Sequence, residues 1–156
     1  MRRTAFSALG VNDGLPQASF YAMARDTQGT VWLATNNGLA RIMGQELTVY
    51  GVPHGLRSDK IRSLAPTRDG GILIGTDKPG IQLLRDGNLT SFPIVESTVN
   101  TSIESVYQDS QERIWVSGRA GLWVMVNGQL ERRRSVQYEN MRASSITEDP
   151  KGIVWI

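Results

Sequence analysis

Apolar and polar residues alternate along this chain in short runs broken by turn-forming residues. Nowhere is the helical period of about 3.6 residues sustained. Phe20–Arg25, Thr30–Thr35, Leu39–Met43 and Leu47–Tyr50 each read as a strand, the second rich in β-formers around Trp32. Between them lie Asp26-Thr27-Gln28-Gly29, Asn36-Asn37-Gly38 and Gly44-Gln45, all with turn chemistry. The same order returns as Ile61–Pro66, Ile72–Thr76, Ile81–Arg85 and Leu89–Phe92, with Asp86-Gly87-Asn88 as a hairpin signal. It returns once more as Ile103–Gln108, Arg113–Gly118, Leu122–Val126 and a strand from Leu130 onward, with Asn127-Gly128 as its turn.

The repetition extends to single columns. Trp32, Leu73, Trp115 and Trp155 follow one another at spacings of 41, 42 and 40 residues. Six residues before each stand Asp26, Thr67, Asp109 and Asp149, and three before stand Gly29, Gly70, Glu112 and Gly152. Upstream, the apolar columns Phe20/Ile61/Ile103/Ala143 and Met23/Leu64/Val106/Ile146 flank a small one, Ala22/Ser63/Ser105/Ser145. A four-stranded unit of ~40–45 residues is the size of a propeller blade, which cannot bury both faces alone and stacks radially on its neighbours. The expected fold is therefore all-β: antiparallel four-stranded β-propeller blades, about 3.5 of them.

Residues 4–16 read as an outer strand and linker, 17–50 as the first blade, 51–92 as the second, 93–138 as the third, and 139–156 as the first half of a fourth. The anchors Trp32, Leu73, Trp115 and Trp155 are expected to fill the space between blades. A buried Trp hides ~150–250 Å², worth ~4–6 kcal/mol as an upper figure. The small column suits a crowded innermost strand, and the Asp and Gly columns suit the turn before the anchor. A chain of three blades and a half has open edges, so a fragment of a longer propeller that self-associates is expected.

Composition narrows the chemistry. The 156 residues carry a net charge of only +2, weak grounds for a nucleic-acid partner, and no cysteine, which removes disulfides and thiolate sites. No run approaches the roughly 18 apolar residues of a membrane span, and no apolar segment follows Met1-Arg2-Arg3 as in a signal peptide. His54 is the single histidine, so a multi-histidine metal site is excluded. It has no nucleophile partner at motif spacing, and neither catalysis nor a cofactor is expected. Arg132-Arg133-Arg134 reads as a solvated rim that discourages strand pairing, with a phosphate or anionic-lipid contact as the sharper reading.

If a ligand binds, topology points to the loops that join second to third strands and each outer strand to the next inner one. The candidates there are Asn36, Asn37, His54, Arg57, Asp59, Asp77, Lys78 and Arg119. Their mixture of amide, acid and base suits a polar small molecule such as a saccharide; the plainer reading makes them ordinary polar turn residues.

The columns resemble the two-component regulator propeller repeat, an apolar strand ending in Asp, then Gly, an apolar residue, Trp, Gly-Thr and Gly-Leu. The best copy runs from Asp26-Thr27-Gln28-Gly29-Thr30-Val31-Trp32 to Gly38-Leu39-Ala40-Arg41, and Gly14-Leu15 and Gly55-Leu56 match the step before the first strand. Departures are Thr67 for Asp, Leu73 for Trp, the extra Pro79, Glu112 for Gly, and Ser117-Gly118 for Gly-Thr. The resemblance implies a fragment of an extracytoplasmic, ligand-sensing propeller. In such bacterial proteins a periplasmic propeller precedes a membrane segment and a histidine kinase, hybrid kinase or diguanylate cyclase output. Two rivals remain: a protein-interaction propeller without a small ligand, and an enzyme of the streptogramin-lyase type.

Overall fold

In the computed structural model, residues 9–94, 100–134 and 143–156 are described. The expected outer strand at Thr4 to Ser7, and stretches within the third and fourth expected units, lie outside them. Blade 1 is β1 (Phe20–Arg25), β2 (Val31–Thr35), β3 (Gly38–Met43) and β4 (Glu46–Tyr50), antiparallel and in sequence order. Blade 2 repeats this with β5 (Ile61–Pro66), β6 (Ile72–Thr76), β7 (Ile81–Arg85) and β8 (Asn88–Phe92). Blade 3 has β9 (Ile103–Gln108), β10 (Ile114–Gly118), β11 (Gly121–Val126) and β12 (Gln129–Arg132). A final hairpin pairs β13 (Thr147–Glu148) with β14 (Val154–Trp155). The architecture is an open, partial β-propeller, as the repeat implies.

Each core lies between successive sheets. Ala24, Trp32, Ala34 and Leu39 of blade 1 pack with Ile61, Ile72, Ile74 and Leu84 of blade 2. Ala65, Leu73 and Ile81 of blade 2 pack in turn with Ile103, Val106, Val116 and Trp123 of blade 3. An anchor is thus covered by the sheet that follows it. Trp32 is 7% exposed and Leu73 0%, whereas Trp155, with no later sheet over it, is 58% exposed. The converse holds at the other edge, where Phe20 and Met23 are exposed while Ile61 and Ile103 of the Phe20 column are fully buried.

The inner strand β5 lies between β1 and β9. Ser63 and Ser105 are buried there, and Ser63 Oγ donates to Ile103 O of the next blade at 3.4 Å. The approach is close enough that a Cβ on Gly75 would stand 2.3 Å from Ser63 Oγ and 2.6 Å from Ile103 Cγ2. Small residues are forced here by packing against the neighbouring inner strand.

A carboxylate clasp explains the spacing of six between aspartate and anchor. Asp26 Oδ1 accepts the backbone N–H of Gln28 and Thr30 at 3.0 and 2.9 Å, and Oδ2 accepts Trp32 Nε1–H at 2.9 Å. Asp109 does the same for Gln111, Arg113 and Trp115, at 3.0, 2.9 and 2.7 Å, and also accepts Arg113 Nε–H at 2.6 Å. Asp149 repeats the clasp with Trp155 at 3.2 Å. Blade 2 lacks both partners. There Thr67 Oγ1 accepts Gly71 N–H at 2.8 Å and donates to Asp69, and Leu73 has no N–H to satisfy. The two departures in that repeat are one coupled change.

Burial opposes the charge of Asp26 and Asp109, but the hydrogen bonds from the indole and the turn outweigh it and hold both pKa values below the ordinary 3.8. At Asp149 the backbone N–H of Ile153 is the largest influence, in the same direction. The glycine column inside the clasped turn has φ near +86°, +87° and +81° at Gly29, Gly70 and Gly152, and Glu112 is held at +63° in the same place.

Candidate functional site at the loop face

The turns clasped by aspartate lie at one end of the sheets. At the other end, the loops from second to third strand meet the connections that lead into each inner strand. Gly38 N–H donates to Asp59 O at 2.7 Å, Asp77 N–H to Lys60 O at 3.2 Å, and Ala120 N–H to Thr101 Oγ1 at 3.2 Å. The two sets of candidate loops therefore do share a face.

Several candidates there are spent on holding the loops. Gly51 to Leu56 repeats Gly10 to Leu15, each a single 3-10 turn. Asp13 Oδ2 accepts Gly10 N–H at 2.9 Å in the first, and His54 Nδ1 accepts Gly51 N–H at 3.0 Å in the second. His54 is thus a loop clip filling an aspartate's place, with Nδ1 as the acceptor. Asp59 Oδ1 accepts Val52 N–H at 2.8 Å, and Arg57 Nη1 donates to Pro79 O at 2.7 Å. Asn37 Nδ2 donates to Pro16 O at 3.2 Å.

The remaining four candidates face outward or inward along the rim. Asn36 Nδ2 donates to Tyr21 OH at 2.5 Å. Asp77 stands 3.9 Å from Lys60 Nζ, Lys78 is exposed, and Arg119 Nε lies 3.5 Å from Glu104 Oε1. A shallow depression of about 350 Å³ opens beside this last pair, lined by Glu104, Gly118, Arg119, Ala143 and Ser144. A second cleft of about 230 Å³ lies at the turn end between blades 1 and 2, where Asp26 is already bonded to Trp32 and Arg41 sits over the Trp32 ring.

Two features escaped the sequence reading. Gln82, 2% exposed, accepts Arg57 N–H at 2.8 Å and donates to Gly55 O and Ser91 Oγ at 3.0 and 3.1 Å, fastening the loop from inside. Its signal was a lone amide within the apolar run Ile81-Gln82-Leu83-Leu84. The second is a register shift in each inner strand, at Phe20/Ala22, Ile61/Ser63 and opposite Ser117/Gly118. It falls on Tyr21, Arg62 and Glu104, and a bulge of this kind re-aims the extra side chain. Arg132 also departs from the expected solvated rim: its guanidinium sits 5.9 Å from the Trp123 ring and donates to Ala120 O. Among the described residues no cluster of His, Asp or Glu is arranged to hold a metal. No described helix is long and apolar enough to cross a membrane.

These features define a propeller scaffold with a polar rim at its loop end. Residues 14–37 match the model of the Two component regulator propeller, so the resemblance read from the columns holds. No curated protein matches the chain. Among solved structures, the extracellular domain of a protein assigned as a hybrid two component system from B. thetaiotaomicron aligns over 96% of this chain, at TM-score 0.79 and 23% identity. A second such extracellular domain from the same organism aligns over 97%, at TM-score 0.67 and 21% identity. Virginiamycin B lyase from Staphylococcus aureus aligns over 90% of this chain and 49% of its own, at TM-score 0.74 and 16% identity. The chain spans about a fifth of the two extracellular domains, 21% and 22%. At these identities the likeness is one of fold.

Proposed function

We propose that the chain is part of the extracytoplasmic sensor propeller of a bacterial two-component signalling protein, with its loop face as the ligand-binding surface. The observation that carries this reading is the regulator-propeller repeat at 14–37, together with the shared fold of extracellular domains assigned to hybrid two component systems. A periplasmic location in the parent protein and a kinase or cyclase output follow from the same reading. The rim is chemically suited to a polar solute such as a saccharide, since Lys78, Arg119, Asp77 and Asn36 project from loops that His54, Asp59, Arg57 and Gln82 hold rigid.

The lyase-like fold supports a second reading, a propeller enzyme. Against it stands His54, the single histidine, whose Nδ1 is taken by Gly51 N–H. The test is a 1H–15N titration of the chain with a panel of mono- and disaccharides. Saturable shifts confined to amides of residues 36–37, 54–60, 77–78, 80 and 119–120 are expected. Shifts confined to the clasped turns, or none with any solute, would overturn the reading.

A further inference from the structure

We propose that Arg62, stacked on Tyr21 at the loop end of blades 1 and 2, binds an oxyanion carried by a small solute, a carboxylate or a sulfate. This rests on the reading of the loop face as a ligand surface and names the chemistry it selects. The inner strands repeat almost every column, apolar before the bulge and small after it. Only the bulged position changes its chemistry from blade to blade, from Tyr21 to Arg62 to Glu104. A bulge takes its residue out of the ladder, so this is the one place where an inner strand can present a long polar side chain at the axis without disturbing packing.

Arg62 is the arginine there without an acceptor. Arg57 holds Pro79 O, Arg119 pairs with Glu104, and Arg132 bonds Ala120 O. Among the described residues Arg62 has neither carboxylate nor carbonyl, and its buried Nε is unpaired. A half-buried guanidinium has five donors, and buried polar groups in folded proteins are satisfied. What it has instead is orientation: its Cζ lies 4.9 Å from the centroid of the Tyr21 ring, and Asn36 fixes the Tyr21 hydroxyl. A planar fork held against an aromatic face suits bidentate recognition of an oxyanion.

Asn36 can supply a second donor in one orientation of its amide: with Oδ1 accepting the Tyr21 hydroxyl, the NH2 is left free for the anion, whereas with Nδ2 on Tyr21 OH the atom without a partner is the acceptor Oδ1. The local charge agrees. Lys60, Arg62 and Lys78 outnumber Asp59 and Asp77 in this stretch; Asp59 accepts Val52 N–H, and Asp77 Oδ2 stands 3.9 Å from Lys60 while its Oδ1 has no partner.

The experiment follows the Arg62 Nε–H resonance in the 15N-labelled chain during titration with sodium acetate and with sodium sulfate, against sodium chloride at equal ionic strength. A saturable shift with acetate, sulfate or both, absent with chloride, is expected, and the stronger anion identifies the source chemistry. Tyr21→Ala should weaken binding about threefold through the lost ring contact. Arg62→Gln should abolish the response at the Asn36 side-chain amide, and Arg62→Lys should retain it only weakly. Saccharide shifts at the loop amides with no saturable anion response at Arg62 would overturn the oxyanion site and leave the loop-face reading standing. No response to any saccharide or anion would overturn both.

Discussion

The clasp between aspartate and anchor allows a controlled measurement, because one geometry recurs in two degrees of burial. Asp109 is 0% exposed and accepts from two backbone N–H groups, the Trp115 indole and the Arg113 guanidinium. Asp109→Ala strips the acceptor from all four donors. A hydrogen bond to a charged group contributes about 1.5–3 kcal/mol net, and a buried donor left unpaired costs about 1–3 kcal/mol. The turn N–H groups and Arg113 recover water, so the indole N–H and the lost charge-assisted bonds dominate, and the expected loss is about 3 kcal/mol. Asp109→Asn should cost nearly as much. Its one amide oxygen can serve the turn, but its NH2 then faces the Trp115 and Arg113 donors. Asp149→Ala removes the two turn bonds and the indole bond, with no guanidinium partner and all of them solvent-exposed, and should leave stability close to wild type. Urea unfolding followed by far-UV circular dichroism gives all three values. Equal losses at Asp109 and Asp149, or an Asp109→Ala loss below about 1 kcal/mol, would refute the claim that burial makes the clasp strong.

Acid should act through the same groups. The folded-state pKa values of Asp26 and Asp109 lie below 3.8, so their stabilisation is complete above about pH 5 and is lost as the pH falls through the lowered values, while the exposed Asp149 adds little. Urea midpoints measured between about pH 6 and pH 2.5 should decline on the acid side. Asp109→Asn should flatten that decline, and an unchanged slope would remove Asp109 as a cause. His54→Asp should keep wild-type stability, because Asp13 makes the equivalent bond, whereas His54→Ala should lose about 0.5–1 kcal/mol, as when a capping side chain is removed. The exposed Phe20, Met23 and Trp155 should drive self-association of the purified chain. Light scattering at micromolar concentration should show oligomers that Phe20→Ser and Trp155→Ser reduce, and a stable monomer would count against it.

The fold was legible because its determinants recur. Strands such as Phe20–Arg25, Ile61–Pro66 and Ile103–Gln108 were bounded correctly from alternation and turn chemistry alone. The aspartate and glycine columns announced the turn, but one lone-pair direction remained hidden: nothing in a spacing of six says that a carboxylate reaches the indole N–H. The loop candidates do gather at one end of the sheets, yet their roles were not readable. His54 and Asp59 look like ligand residues in sequence and serve as backbone acceptors in the fold. Arg62 was overlooked for the opposite reason. Column comparison rewards sameness, and the bulged position is where the blades differ.

That contrast divides the molecule physically. At the turn end, repeated chemistry closes on itself. Asp26, Asp109 and Asp149 each spend both carboxylate oxygens within their own hairpin, and Glu148 accepts Ser110 N–H of the preceding blade at 2.7 Å. These groups are committed to holding their own turns, and changes there should appear as stability. At the loop end the inner strand inserts an extra residue in every described blade, and the side chains so displaced are an aromatic, a cation and an anion. A scaffold that repeats can bind something that does not repeat only where its own repetition is broken. The bulge supplies that break without cost to the blade interface, since Ile61 and Ser63 on either side of Arg62 stay buried.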